Sequence, residues 1–379
     1  MKILIVILLL IAFGKSVYSF TFPPHHSLLN NSSVKDSNAL YLNFYNSNFL
    51  WNNEFFNDVV EGYTLIGYFI TPQFEYHFSP NIKIDAGVHL LKYTGVDDFT
   101  RFTPTYSVTF SKRDFSLIMG TIKGTINHRL PEPILFTEKY FTNNLENGVQ
   151  YIVDKERLFS DVWLDWQNFI FPKDNEQEKL VAGFSLDPYF VKNEKWEFST
   201  PVGGIAGHRG GQIDTSQANM KTVINYNFGL KATKLLTLKY LKRITLESSY
   251  LKYVDNSPTV ESLYKKGSGY FSNIRLGFDD NYLQFGYWYS NQFLSLLGHP
   301  IYQSFSEKSE EQHQKYRELI SANIFYSKTI YKGIYLGFMG DVFYDLRSGD
   351  TDYSMGLTLI IKNNFFIKRF KNNPLTNYK

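Results

Sequence analysis

Asp161, Trp163, Asp165 and Gln167 recur at every second position of segment 158–171, opposite Val162, Leu164, Trp166 and Ile170. On an extended chain, alternate side chains share a face, so two carboxylates, an indole and an amide would point into water together. Such a group can grip a sugar, the ring stacking on the pyranose while the carboxylates accept hydrogen bonds from its hydroxyls. The same tryptophan fits equally well in an aromatic girdle at a lipid–water boundary. Two carboxylates four residues apart on a strand lie roughly 13 Å from one another at ~3.3 Å per residue. That exceeds the roughly 5–9.5 Å spacing of glycosidase pairs, so Asp161 and Asp165 do not read as a catalytic dyad.

Two His-Arg pairs, His128-Arg129 and His208-Arg209, fall in stretches between extended segments, with Glu132, Glu146 and Asp214 nearby in sequence. A loop folded into a pore would carry these charges to its narrowest point, where rings of cations select anions. The alternative is a set of salt bridges that hold the loop against the wall. His208 and Asp214 also have the chemistry of metal ligands, or of a base and its orienting acid, but one pair at one spacing assigns neither. Gly203-Gly204, Gly207 and Gly210-Gly211 match no phosphate-binding loop. The stretch around Ser185 lacks the second glycine of a nucleophile elbow. On these grounds the chain is read as non-enzymatic, with no cofactor and no metal.

The elements that must position these residues alternate with period two. Ile66, Tyr68, Ile70, Phe74, Tyr76 and Phe78 share one face, and Thr71, Gln73, Glu75 and His77 the other. Ile82, Ile84, Ala86, Val88 and Leu90 likewise oppose Lys83, Asp85, Gly87 and His89. Such alternation predicts strands over 39–46, 62–78, 81–93, 103–111, 114–124, 147–154, 158–171, 178–190, 195–206, 222–231, 235–252, 267–278, 280–290, 319–331, 333–345 and 351–362. The connections alternate too, from Ser79-Pro80 or Lys112-Arg113 to long stretches such as 125–146, 207–221 and 291–318. The last of these ends in a charged run, 305–318, that suits a solvated outer loop.

Tight turns on one side and long loops on the other are the signature of a transmembrane β-barrel. The chain resembles a Gram-negative outer-membrane porin-type barrel, all-β, antiparallel and up-and-down, with about 16 strands, or 14 if 39–46 is a plug. Phe370 stands where such barrels carry the terminal aromatic read by the barrel-assembly machinery, although nine residues follow it. The resemblance implies an integral outer-membrane channel surrounded by lipid, passing small hydrophilic solutes such as oligosaccharides or anions, and possible assembly as a homo-oligomer. The alternative reading is an outer-membrane lipid- or glycan-modifying enzyme, a surface adhesin or a transport partner.

Composition agrees. Aromatic residues make up 18% of the chain, with 28 Tyr and 34 Phe, and there is no cysteine, which excludes disulfides and thiol chemistry. The formal charge is +3, and Lys2 and Lys15 account for two of it, so nucleic-acid binding has no basic excess to rest on. Lys2 followed by apolar Ile3 to Phe13, and Val17-Tyr18-Ser19 beyond, reads as a signal peptide over 1–19. The remainder divides into an N-terminal extension over 20–37, the barrel over 38–370 and a tail over 371–379.

Overall fold

The computed structural model describes residues 26–27, 37–211, 213–308 and 313–371. The expected signal peptide therefore lies outside the described residues, as do most of the expected N-terminal extension and all but one residue of the tail. The strands are β1 Ala39–Glu54, β2 Thr64–Ser79, β3 Ile82–Tyr93, β4 Arg101–Lys112, β5 Phe115–Thr121, β6 Asn147–Lys155, β7 Leu158–Asn168 and β8 Lys179–Lys192. After them come β9 Trp196–Ser199, β10 Val202–Arg209, β11 Lys221–Leu235, β12 Arg243–Asp255, β13 Lys266–Phe278 and β14 Asn281–Asn291. The last three are β15 Tyr316–Tyr331, β16 Ile334–Asp345 and β17 Thr351–Arg369.

Each strand pairs antiparallel with its neighbours, and β1 pairs with both β2 and β17, so the sheet closes on itself. Seventeen strands make sixteen staves, because β9 and β10 run end to end between β8 and β11. The break falls at Thr200-Pro201, where proline has no N–H to give the ladder. The predicted first strand, 39–46, is the start of a sixteen-residue stave whose full length pairs with β17. That pairing settles the count at sixteen rather than fourteen. Phe370 sits one residue beyond β17, its N–H donating to the Asn38 carbonyl at 2.8 Å and its ring edge-on to Tyr76.

Links 80–81, 113–114, 156–157, 193–195, 236–242, 279–280 and 332–333 lie at one end, and the longer loops at the other. Gly333 shows what a tight turn demands: its φ is +77°, and an added Cβ would stand 2.7 Å from the Lys362 carbonyl oxygen. The apolar faces point outward, where Phe102 is 65% exposed, Phe228 54% and Leu230 60%. Side chains this apolar and this uncovered belong against acyl chains. The protein is an integral outer-membrane barrel, its polar faces turned to the lumen. Gln73, Glu75, His77, Lys83, Asp85 and His89 are all buried there.

Candidate functional site

Two of the long loops turn into the barrel rather than away from it. In the first, 122–146, the bends are set locally: Thr125 and Arg129 have positive φ, and Thr125 donates from its N–H and its hydroxyl to Glu146 at 2.9 and 3.0 Å. In the second, 292–315, an apolar stretch around Phe293, Ile301 and Tyr302 is fully buried. The loops meet inside the lumen. Leu135 bridges to Leu297, the Phe136 N–H donates to the Leu297 carbonyl at 2.8 Å, and the His299 N–H donates to the Glu132 carbonyl at 3.1 Å. The second loop is fixed to the wall by the Asn225 amide, which donates to the Leu294 carbonyl and accepts from the Leu296 N–H. Arg317, itself buried and ion-paired with Asp345, donates to the Ile301 carbonyl at 2.9 Å.

Wall residues of the long-loop half pack onto these loops. Val181, Ile205, Leu251, Trp288, Leu319 and Phe343 form one dry cluster with Ile134, Phe293, Ile301 and Tyr302. The Trp288 indole N–H is satisfied by the Tyr302 carbonyl at 3.0 Å. His299 is sealed into this packing, 3.9 Å from the Phe136 ring, and burial pulls its imidazole down to about 3, so it is neutral. The outer half of the lumen is thus a hydrophobic core, not a water-filled bore.

His128 is the clasp of the first loop. Its ring bonds Asp161 through Nδ1 and Glu146 through Nε2, each at 2.8 Å, and lies flat on the Trp163 indole at 3.6 Å. Burial lowers the imidazole pKa, but the two carboxylates outweigh it and raise the value to about 9. Burial raises Glu146, yet the facing imidazolium brings it down to about 2. With both nitrogens engaged, His128 cannot accept a proton from a substrate. Asp161 also accepts from Gln150 at 2.9 Å.

The sequence expectations therefore meet mixed outcomes in placement. Asp161, Trp163 and Asp165 do face inward, and Gln167 donates to Asp165 at 3.0 Å near the rim. Trp163 does not present its face to a solute, because His128 covers it. Arg129 enters the lumen and lies on Phe159, 3.4 Å above the ring centroid. Glu132 accepts from the Tyr302 hydroxyl at 3.2 Å, and burial raises its carboxyl above the ordinary value. The placement of His208 and Arg209 in a loop is corrected: both belong to β10, where the ladder continues to Lys221, and they fall on opposite faces. His208 bonds the Thr222 hydroxyl at 2.9 Å. Asp214 accepts from Gly211 and Ser216 within its own loop, and no hydrogen bond joins it to His208 among the described residues.

A polar group at the mouth was missed. Glu138, buried in the first loop, accepts from the Asn53 amide at 2.8 Å and from the Tyr63 hydroxyl. The Asn53 side-chain carbonyl accepts from Ser354 at 2.7 Å. Burial pushes the Glu138 carboxyl up, against the pull of those hydrogen bonds. Tyr63, Phe56 of the same 55–63 loop and Ile66 on β2 are exposed. No period or motif links residues 53, 63 and 138, so only the folded loop brings them together. The second inward loop did leave a trace: Phe293, Leu294, Leu296, Leu297 and Ile301 are too apolar for a solvated connection.

Among solved structures, the chain is similar to the outer membrane protein OprD from Pseudomonas aeruginosa, with 10% identity and a TM-score of 0.50, covering 89% of this chain and 97% of that one. It is similar also to OmpT of Vibrio cholerae, with 9% identity, a TM-score of 0.50 and coverage of 88% and 100%. These likenesses show the fold, a closed outer-membrane β-barrel. No curated protein matches the chain. Residues 32–370 match a family described as lipid A 3'-O-deacylase-type. That match overturns the expectation of a non-enzymatic protein, which rested on finding no catalytic spacing in the sequence. Convergence of residues distant along the chain leaves no such spacing. The chain belongs to the lipid A 3'-O-deacylase-type family.

Proposed function

We propose that this barrel hydrolyses an acyl ester of a lipid A-type glycolipid at its outer mouth, with Glu138 as the general base. What carries the reading is the convergence of Asn53 and Tyr63 on a buried carboxyl whose pKa is raised, in a chain of this family. The sealed outer lumen supports it, since a closed bore gives such a mouth no role as an entrance.

The chemistry needs one water. Glu138, as carboxylate, takes a proton while the water oxygen bonds to the ester carbonyl carbon. The Tyr63 hydroxyl and the Asn53 amide donate to Glu138 in the free protein; they turn to the carbonyl oxygen as its negative charge builds. Collapse breaks the bond to the sugar oxygen, and the proton on Glu138 passes to that oxygen, leaving a fatty acid and a free hydroxyl. Phe56 and Ile66 offer the acyl chain an apolar approach from the outer leaflet.

The test is mass spectrometry of hexa-acylated lipid A after incubation with the protein in mixed micelles. The native protein should release one chain, and Glu138→Gln should slow release about 100-fold or more, the usual value of a general base. Lipid A left intact by the native protein, or cleaved at the native rate by Glu138→Gln, would overturn the reading.

A further inference from the structure

Below the sealed half, toward the short turns, the lumen opens into a cavity of about 210 Å³ that the mouth chemistry does not use. Its wall comes from β8, β11, β12 and β13, and its roof from the loop segment around Arg129. We propose that this cavity is a binding site for a small neutral polyhydroxy solute of monosaccharide size, independent of hydrolysis at the rim.

The first support is a set of buried polar atoms that no group among the described residues satisfies. They are Ser185 Oγ and Asp187 Oδ1 on β8, Asn227 Oδ1 on β11, Asn273 Oδ1 on β13 and Arg129 Nε above them, and all five residues line the cavity. Buried polar atoms are almost always partnered, and a cluster of exceptions marks a place where water or a ligand completes the network. Acceptors on three strands facing one donor suit a ligand that both donates and accepts at several points, as a ring of hydroxyls does.

The second support is charge balance. Lys231 is ion-paired with Asp187, and Arg129, Arg243 and Arg275 of the lining are met there by Glu132, Glu197, Glu247 and Asp341. Matched charges leave little net field, so the wall does not favour an ion of either sign. Phe271, sunk in the dry cluster, adds apolar surface to the lining, of the kind a pyranose packs against. The space is large enough for several waters, which a hexose could replace.

The experiment is saturation-transfer NMR on the full chain in detergent micelles, with D-glucose, D-galactose and myo-inositol as probes, and arginine and glutamate as charged comparators. At least one neutral probe should show transfer, and should bind more tightly than either charged one. Ser185→Ala and Asn227→Ala should each weaken it about fivefold, the value of one hydrogen bond. Ser185 Oγ and Asn227 Oδ1 bond no other group among the described residues, so a melting temperature kept near the native value in both variants separates lost binding from lost fold. A cavity that holds water only, showing no transfer from any neutral probe, overturns the proposal. So does tighter binding of arginine or glutamate, or full affinity in both variants. Lipid A assays do not enter these readouts, so either reading can fail alone.

Discussion

The two halves of the lumen share one wall and differ in what the loops bring to it. In the long-loop half, wall residues such as Trp288, Leu319 and Phe343 pack on Phe293, Ile301 and Tyr302, and the Trp288 indole N–H donates to a loop carbonyl. In the short-turn half the first loop only roofs the space with Arg129 and its neighbours, and buried oxygens on Ser185, Asp187, Asn227 and Asn273 keep no protein partner among the described residues. A barrel wall alone therefore fixes neither a pore nor a core. The outer half is dry because two loops supply apolar side chains that pack against the wall. The inner half stays wet because its inward positions remain polar and unfilled.

The strongest way to break this contrast is to take away the second loop. Replacing 294–303 with a short Gly-Ser link removes Ile301 and Tyr302 from the seal. A sixteen-stave barrel is wide enough for an aqueous channel once emptied. Conductance in planar bilayers should rise about tenfold or more in this variant, as expected when a hydrophobic constriction is removed. A native protein that conducts as well as the variant would mean that the outer half is not sealed.

How much of this was legible in the sequence follows from the same contrast. Alternation located every stave, because one side of each strand meets lipid and the other does not, and that asymmetry is written residue by residue. Ile66 to Phe78 against Thr71 to His77 is a direct record of it. Strand ends were less visible: β1 runs on to Glu54, where inward Phe49 and Trp51 pack on the loop residue Phe141 and break the polar-inside pattern, and β17 runs on to Arg369 through exposed residues. The clasp was half legible. Asp161 and Trp163 stood out by spacing, and His128 by type, but their contact depends on how far 122–146 folds inward. Glu138 with Asn53 and Tyr63 could not be read at all, for no local rule joins a loop carboxyl to a strand amide 85 residues away.

His128 offers the next largest effect. His128→Ala leaves Glu146 and Asp161 facing each other in a buried site without their shared cation. Removing one partner of a buried charge group costs about 3–5 kcal/mol, seen as an earlier unfolding midpoint and faster proteolysis of 122–146. The same clasp sets a pH window. The raised imidazole contributes fully below about pH 6.5 and is lost as pH climbs through about 9. The lowered Glu146 contributes fully above about pH 4.5 and is lost as pH drops through about 2. Resistance of the loop to protease should therefore be greatest between pH 4.5 and 6.5 and should fall toward pH 9 and above. Resistance that is flat to pH 10, or that survives His128→Ala, would remove the clasp from the account.

The smallest expected effect is a difference between two phenylalanines. Phe228 faces lipid and is 54% exposed in the protein alone, whereas Phe293 is 0% exposed between Trp288 and the loops. Phe228→Ala forfeits transfer from water to an apolar phase, about 1.5–3 kcal/mol at full burial, and fluid acyl chains close over the missing ring. Phe293→Ala forfeits the same transfer and leaves a hole in a packed interior, about 3–5 kcal/mol in total. Denaturant unfolding of both variants in one lipid should place Phe293→Ala below Phe228→Ala by about 1–2 kcal/mol, the part due to the cavity. If water fills the outer half instead, Phe293 is an exposed ring on a hydrated loop, and its removal should cost almost nothing. The order of the two variants would then reverse, and the dry half would have to be redrawn as wet.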